Sequence, residues 1–183
     1  MKAECFKNII VLLGFMDTYY DDISEGYEEL HGKEQIDKLD FIRGKLEELK
    51  IELQGKLLDV GCGSGLTTRF WKNCERTGID PANKLVEKAK EKDSDGVYIV
   101  ASAEKIPFSE GEFDVVVSIT AIQNFKDVEK GLSEIKKVGK DFFILTFLRR
   151  SSNKDLIIDA IKFNFKVLYS FEECKDLIFF CSS

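Results

Sequence analysis

Histidine, proline and arginine are scarce in this chain of 183 residues, which has one, two and five of them respectively. The single His31 has no cysteine near it, and no two of the five cysteines have the short spacing of a zinc site, so we expect no metal site. An odd number of scattered cysteines favours free thiols in a cytoplasmic protein. The apolar run 9–16 is far shorter than the roughly 20 residues that span a bilayer. Acids and no cleavage site follow it, so we expect an amphipathic helix there and no removed signal.

Basic charge of the kind that binds nucleic acid is also lacking, because the formal net charge is −6. Residues 17–54 hold twelve acids and five bases, whereas the rest of the chain holds 21 acids and 22 bases. The negative charge therefore belongs to one segment, and an evenly basic nucleic-acid-binding protein is excluded. The best basic patch, which we interpret as a solvated face, consists of Lys136, Lys137, Lys140, Arg149 and Arg150.

The hydrophobic pattern divides the chain into a helical first part and an alternating second part. Apolar residues recur every three or four positions from Glu28 to Leu53, and this spacing predicts a helix with one buried face. After Gly55, short apolar runs alternate with helical patterns. The predicted strands are 56–60, 76–80, 97–101, 114–120, 141–148, 166–171 and 176–181, and the predicted helices are 66–73, 82–92, 127–138 and 154–162.

This alternation predicts an α/β fold with a doubly wound, mostly parallel seven-stranded sheet that helices cover on both faces. Only a few polar residues separate the last two strands, so we expect them to form a C-terminal antiparallel hairpin on that sheet. We expect one domain over 1–183, with a helical cap in 1–55 and an α/β core in 56–183.

A glycine-rich turn follows the first predicted strand and contains Gly61, Gly63 and Gly65. Such a turn lets the backbone approach a ligand closely, and the ligand crevice of an open α/β sheet lies at this carboxyl end of the strands. Asp80 ends the second predicted strand, 19 residues after Gly61. An acid about 20 residues after such a glycine turn is typical of the residue that binds the ribose of a nucleotide. A dinucleotide fingerprint would place its third glycine where this chain has Leu66, so the pattern differs from that fingerprint.

The glycine pattern, read with Asp59 and Asp80, closely resembles the class I S-adenosylmethionine-dependent methyltransferases. Further segments are similar to motifs of that family: Gly-Ile-Asp-Pro at 78–81, and Ala-Glu-Lys-Ile-Pro-Phe at 103–108 followed by Phe-Asp-Val-Val at 113–116. The core is similar to that of the ubiquinone/menaquinone methyltransferases. The resemblance implies a Rossmann-like methyltransferase fold, S-adenosylmethionine as cofactor and S-adenosylhomocysteine as product.

The resemblance also implies roles for the residues of the glycine turn. Gly61, Gly63 and Gly65 would wrap the methionine part of the cofactor. Asp59 would fix that loop and the amino group of the cofactor, and Asp80 would accept hydrogen bonds from both ribose hydroxyls.

Other expected cofactor contacts lie elsewhere in the chain. The family usually has an aspartate before the Ala-Glu pair, where this chain has Ser102, so Ser102 and the backbone of Ala103 are the expected adenine contacts. Ile119 and Thr120 would line the cofactor after the fourth strand. Tyr19 would close over its methionine end.

Each of these assignments has a plainer structural alternative. The glycines can serve the turn alone, and Asp80 can simply cap the second helix. Ser102 can be structural, and Tyr19 and Tyr20 can be core aromatics.

The predicted acceptor side lacks a general base. Methyl transfer displaces an already activated leaving group, so proximity and orientation supply most of the catalysis. Many small-molecule methyltransferases place histidines after the fourth strand, where this chain reads Ala-Ile-Gln-Asn-Phe at 121–125. Gln123 and Asn124 form hydrogen bonds but do not act as bases. We therefore predict that Gln123 and Asn124 position an already nucleophilic acceptor, such as a ring nitrogen, with Phe125 or Trp71 packed beside it.

Three functions stay open at this point. Residues 118–123 are similar to the eukaryotic small-subunit rRNA guanine-N7 methyltransferases, which favours an RNA base or a translation factor as acceptor. Related RNA and protein methyltransferases are activated by a small zinc-binding partner subunit. The second candidate is methylation of a small molecule such as a quinone precursor, and the third is a non-catalytic cofactor-binding subunit. In this family N-terminal helices build the substrate entrance, so the acidic segment 17–54 is expected there.

Overall fold

Seven strands and four helices form the fold in a computed structural model, which describes residues 27–183. The strands are β1 (Gly55–Val60), β2 (Cys74–Asp80), β3 (Val97–Val100), β4 (Phe113–Ser118), β5 (Gly139–Leu148), β6 (Lys166–Glu173) and β7 (Asp176–Ser182). The helices are α1 (Tyr27–Glu48), α2 (Asn83–Lys92), α3 (Val128–Val138) and α4 (Lys154–Asn164).

The strands form one sheet in the order β3-β2-β1-β4-β5-β7-β6. The first five strands pair in parallel, and β7 is antiparallel to both β5 and β6. The predicted fold class, with its terminal hairpin, is therefore confirmed. Because β1, β2 and β4 are parallel neighbours, the segments that follow them meet at one edge of the sheet, which we call the carboxyl edge.

Alternating strand residues divide the core between the two faces of the sheet. Leu58 and Val116 pack with α3 and α4 on one face, and Leu57 and Val115 pack with Leu39, Ile42 and Leu46 of α1 on the other. The helix α2 packs through Val86 and Ala89 on Tyr98 of β3. Within residues 27–183 no helix combines the length and the apolar character needed to cross a membrane.

The predicted crossover helix 66–73 is wrong, because this segment contains only a single 3₁₀ turn, Thr68–Phe70. The hydroxyls of Thr67 and Thr68 both donate hydrogen bonds to the buried carboxylate of Asp59. Threonine side chains that bond outside their own segment, and are stiff at χ1, disfavour a continuous helix. The backbone of Trp71 then leaves the helical region.

The helix α1 ends at Glu48, five residues before the predicted end at Leu53. The N–H of Ile51 donates to the carbonyl of Leu46 at 2.9 Å, and the N–H of Lys50 donates to the carbonyl of Glu47 at 3.1 Å. This pair of bonds is the Schellman motif, which requires a left-handed residue just after the helix. Lys50 occupies that position with a φ of 57°.

We expect Lys50→Gly to stabilise the protein by about 0.5–1 kcal/mol, because glycine adopts a left-handed backbone without the steric cost that lysine meets. Urea unfolding at neutral pH measures this change. The control is Lys33→Gly, an exposed site inside the same helix, which should lower the free energy of unfolding by about 1 kcal/mol. Destabilisation by both variants would contradict the assignment of Lys50 as the helix-terminating residue.

Candidate functional site

Three glycines with left-handed backbones form the turn after β1. The φ angles are 82° at Gly61, 53° at Gly63 and 81° at Gly65. A Cβ atom at Gly61 would lie 2.4 Å from the Cβ of Ala121, and one at Gly65 would lie 2.9 Å from the hydroxyl of Tyr98. A Cβ at Gly63 would meet nothing within 4 Å. The turn is therefore packed on both sides, and its middle faces open space where a ligand can approach the backbone.

Asp80, at the end of β2, holds this turn in place. One oxygen of its carboxylate accepts the N–H of Gly63 at 2.9 Å, and the other accepts the N–H of Ala82 at 2.9 Å. The helix α2 has Ala82 at its N-cap and no side-chain cap bond, so Asp80 does not cap that helix as the structural alternative supposed. Asp80 instead ties β2 and the segment before α2 to the glycine turn. A carboxylate has about four lone-pair sites, so an acid at this position can accept several hydrogen bonds at once.

Asp59 is fully buried beneath the turn, and its two carboxylate oxygens differ in their surroundings. The oxygen Oδ2 accepts hydrogen bonds from Thr67 and Thr68, the latter at 2.7 Å. The oxygen Oδ1 is buried and has no hydrogen-bond partner among residues 27–183. Burial raises the pKa of Asp59 from 3.8 to about 6, although the two threonine bonds oppose the shift. An unpartnered buried carboxylate oxygen is suited to a cationic group such as an ammonium.

The segment after β3 lies at the same carboxyl edge, because the N–H of Ala101 donates to the carbonyl of Asp80 at 3.1 Å. Ser102 is half-buried, whereas Ala103 is buried in the core beside α3, so only the backbone of Ala103 is suited to a ligand contact. Ile119 follows β4 and is buried among the residues that pack on α1. Tyr19 lies outside the residues that the structure describes.

The turn after β4 contains the predicted acceptor residues. The side-chain Nε2 of Gln123 donates to the carbonyl of Thr120 at 2.7 Å. A carbonyl only accepts, so this bond fixes the orientation of the amide and directs Oε1 of Gln123 away from it. That oxygen is buried and has no hydrogen-bond partner within the described part of the chain. Gln123 therefore offers an approaching group a hydrogen-bond acceptor, while Asn124 is exposed.

A buried polar cluster that the sequence analysis missed lies beside this turn. The ammonium of Lys38 in α1 lies 2.7 Å from Oδ2 of Asp176, at the start of β7, and both side chains are 1% exposed. Lys38 also donates to the hydroxyl of Thr120, which donates to Oδ1 of Asp176 at 3.0 Å. The backbone N–H of Thr120 donates to the hydroxyl of Thr146 at 2.7 Å. The one sequence signal is Asp176 itself, an acid at the head of the apolar run 177–181.

The two aromatic residues predicted beside the acceptor and the basic patch have other partners. Trp71 packs with Cys74, at the start of β2, and therefore lies at the opposite edge of the sheet, which excludes the predicted role beside an acceptor. The ring of Phe125 packs against the core side of Gly131. In the basic patch, Lys137, Lys140 and Arg149 pair with Glu134, Asp114 and Glu172. No cluster of three or more potential ligands in residues 27–183 could hold a metal ion.

Comparison with known proteins agrees with this arrangement. Residues 58–142 match the family described as Methyltransferase domain. The chain is 31% identical over 126 residues to a demethylmenaquinone methyltransferase of Thermotoga maritima, a match that covers 66% of this chain and 55% of that protein. It is 29% identical over 150 residues to an uncharacterized protein of Methanocaldococcus jannaschii, which covers 81% of this chain and 57% of that protein. The chain thus spans little more than half the length of these relatives.

Two solved structures share the fold. The magnesium protoporphyrin IX methyltransferase of Synechocystis, solved with bound S-adenosylmethionine, has a TM-score of 0.67 at 16% identity and covers 80% of this chain and 78% of that one. A methyltransferase of Haloferax volcanii in complex with the Trm112 activator has a TM-score of 0.70 at 16% identity and covers 91% of this chain and 96% of that one.

The strand order and the glycine turn at the carboxyl edge define a Rossmann-like domain built to bind a nucleoside cofactor. Together with the matched methyltransferase family and the relatives above, they show that this chain belongs to the class I S-adenosylmethionine-dependent methyltransferases.

We expect the stability of the protein to fall by about 2 kcal/mol between pH 4 and pH 7 through Asp59 alone. The unfolded chain ionises this carboxyl near 3.8, whereas the folded protein holds its proton until about 6. Its contribution is therefore complete below the unfolded pKa and is lost as the pH rises through the folded pKa. The variant Asp59→Asn removes this dependence, so its unfolding free energy relative to wild type should rise over the same range.

Urea unfolding at several pH values checks this expectation. The control is Asp95→Asn, an exposed acid after α2, for which the difference from wild type should stay nearly constant. A difference between Asp59→Asn and wild type that does not change with pH would show that Asp59 ionises normally in the folded protein.

Proposed function

We propose that this protein transfers a methyl group from S-adenosylmethionine to an acceptor that is already nucleophilic. The observation that carries the proposal is the glycine turn 61–65, with its open middle, held by Asp80 above the unpartnered oxygen of Asp59. These residues fit the cofactor at both of its polar ends, because one acid can accept from hydroxyls and the other can face an ammonium.

In this proposal the turn formed by Gly61, Gly63 and Gly65 lies along the methionine part of the cofactor. Oδ1 of Asp59 binds its amino group, and the carboxylate of Asp80 accepts hydrogen bonds from the ribose hydroxyls. Binding an ammonium beside Asp59 favours the ionised carboxylate, so cofactor affinity would rise with pH through about 6.

The adenine and the outer side of the cofactor would contact residues from three other segments. Ser102 and the backbone of Ala103 would contact the adenine ring, and Ile119 would form an apolar wall. Tyr19, in the N-terminal segment, would close over the methionine end. We propose that residues 1–55 act as a cap on this side of the core and shield the site from water.

The chemistry at the acceptor needs orientation more than proton transfer. Bound S-adenosylmethionine supplies a methyl group on a sulfonium, which is an activated leaving group. The protein's own contribution is then to hold the acceptor in line with that group, a matter of proximity. The unpartnered amide oxygen of Gln123 suits an acceptor that donates an N–H or O–H, as a heterocycle with one free nitrogen and one N–H does.

The acceptor belongs to one of two classes. A small molecule such as a quinone precursor is supported by the demethylmenaquinone methyltransferase among the relatives. An RNA base or a translation factor, methylated with the help of a partner, is supported by β3, which is an edge strand of the sheet that residues 27–183 form and whose Val97 and Val100 are 56% and 46% exposed there. A small zinc-binding activator would cover that edge. One structural neighbour is in complex with the methyltransferase activator Trm112.

The charges of the described surface weigh against an RNA acceptor for the isolated chain. Three members of the basic patch are paired with acids, and the segment 17–54 is strongly acidic. A partner would have to supply the positive surface that phosphates require. The four described cysteines are free thiols, in keeping with the predicted cytoplasmic setting. A non-catalytic cofactor-binding subunit is the third alternative.

Asp80→Asn is expected to weaken binding of S-adenosylhomocysteine by at least about tenfold, because an amide cannot replace both acceptor oxygens at the turn. Isothermal titration calorimetry measures the affinity, and circular dichroism checks that the variant is folded. Asp95→Asn keeps the same change of charge at an exposed site and should bind as wild type does. A wild-type protein that binds neither S-adenosylmethionine nor S-adenosylhomocysteine would reject the proposed function.

The acceptor class can be identified by transfer of a radiolabelled methyl group to total RNA, protein and metabolite extracts of a cell. Label that nuclease releases indicates RNA, and label in the small-molecule fraction indicates a metabolite. With the labelled fraction as substrate, Gln123→Ala should lower turnover by about tenfold, the order of one or two lost hydrogen bonds. A loss below twofold for both Gln123→Ala and Asn124→Ala would exclude them as acceptor-positioning residues.

A further inference from the structure

The buried cluster of Lys38, Asp176, Thr120 and Thr146 joins three parts of the molecule at the carboxyl edge. Lys38 comes from the helical cap, Asp176 from the terminal hairpin, and Thr120 from the turn after β4. A second pair, Glu34 with Lys175, links the same helix and hairpin at 2.8 Å, but both of its side chains are well exposed. Only the buried pair reaches the turn beside the proposed cofactor site.

Stability alone does not explain a buried ion pair. Taking an ammonium and a carboxylate out of water is costly, and well-packed apolar residues in their place are often as stabilising. A buried ion pair can instead serve to specify one arrangement of the chain over others. Here the pair is combined with two further hydrogen bonds on a single residue, Thr120.

Thr120 has a backbone conformation that a threonine rarely adopts. Its φ is 56°, in the left-handed region, where a β-branched side chain is strained. Its hydroxyl is held between Lys38 and Asp176, and its N–H is held by Thr146. The surrounding contacts therefore impose this conformation, since the residue does not favour it by itself.

The conformation of Thr120 places the next residue, Ala121, against the glycine turn. The methyl group of Ala121 occupies the space where a Cβ of Gly61 would be, at 2.4 Å. On its other side Gly61 is held by the carbonyl of Ile79, which accepts its N–H at 2.8 Å. Gly61 is thus enclosed between β2 and Ala121, and a shift of Ala121 would release one side of the turn.

We propose that Lys38 and Asp176 are positioning residues for the cofactor: their buried pair holds Thr120 in its left-handed conformation, and this keeps Ala121 packed on the glycine turn. The inference rests on the proposed function, in that the turn 61–65 is the binding site of S-adenosylmethionine. The helical cap then contributes to cofactor affinity through Lys38, which contacts Thr120 at the carboxyl edge and does not contact the cofactor.

The test uses the double variant Lys38→Met/Asp176→Leu in the full chain, which removes both charges and leaves no buried ion unpaired. Titration calorimetry with S-adenosylhomocysteine should show an affinity about tenfold below wild type, the factor expected when a strained left-handed threonine loses its support. The control Lys175→Met breaks the exposed pair between the same two elements and should change the affinity by less than twofold.

A third substitution separates positioning from general stability. Glycine adopts a left-handed backbone without strain, so adding Thr120→Gly to the double variant should restore most of the lost affinity. A general loss of packing would not be repaired by a smaller and more flexible residue. If the double variant does not fold, Asp176→Asn, which keeps the shape of the side chain, replaces it and should show a smaller loss that Thr120→Gly again reduces.

The outcomes distinguish this inference from the proposed function. Binding by wild type together with equal binding by the charge-free variant would overturn the inference and leave the proposed function intact. A lowered affinity that Thr120→Gly does not restore would also overturn it. A wild-type protein that does not bind S-adenosylhomocysteine would overturn both.

Discussion

The enclosure of the glycine turn between its two neighbouring strands is the constraint on which the rest of the site depends. Gly61 has Ala121 on one side and the carbonyl of Ile79 on the other, and Asp80 holds Gly63. None of these contacts would exist unless β1, β2 and β4 ended at the same edge, which follows from their parallel pairing. The terminal hairpin adds Asp176 to that edge because β7 runs antiparallel to β5, so its first residue lies beside the last residue of β5.

Three buried acids at this edge are satisfied in three different ways. Asp80 accepts two backbone N–H groups, and Asp176 has an ammonium and a hydroxyl. Asp59 has two hydroxyls on one oxygen and, among residues 27–183, no partner on the other; its pKa is raised by burial, which the two hydroxyl bonds only partly offset. The acid with the unmet oxygen is therefore the one best suited to a cation that arrives from outside the chain.

The position of α1 explains several of the charges in the acidic segment 17–54. Several of its charges serve the helix itself or its docking: Asp40 pairs with Arg43, Glu48 pairs with Lys45, and Glu34 reaches Lys175 of the hairpin. Such exposed pairs contribute little to stability. The negative charge of the segment thus disfavours the binding of a bare polyanion near the helical cap. The basic patch offers no other binding surface for it, because three of its members pair with acids of this chain. These two facts make a partner subunit a requirement of the RNA hypothesis.

Periodicity and motif spacing were enough to predict most of the fold and the glycine turn after β1. The strands were found within a few residues of their true ends because buried parallel strands are short apolar runs, and the glycines were found because a tight turn after a strand needs them. The predictions failed at two places that the apolar pattern does not mark. The helix 66–73 did not form because Thr67 and Thr68 bond to Asp59, and α1 stopped early because Lys50 adopts a left-handed backbone.

The amino-acid sequence alone predicted the strands, the helices and their order along the chain, because these depend on local apolar patterns. It also indicated the family, because the motifs of that family are short contiguous segments. Only the tertiary structure decided that the amide oxygen of Gln123 has no partner among residues 27–183, since its orientation depends on the bond from the amide nitrogen to Thr120. It also decided that Lys38 and Asp176 meet. Their contact depends on how α1 crosses the sheet and on the direction of β7, and no pattern in a helix of many charges marks the one lysine that becomes buried.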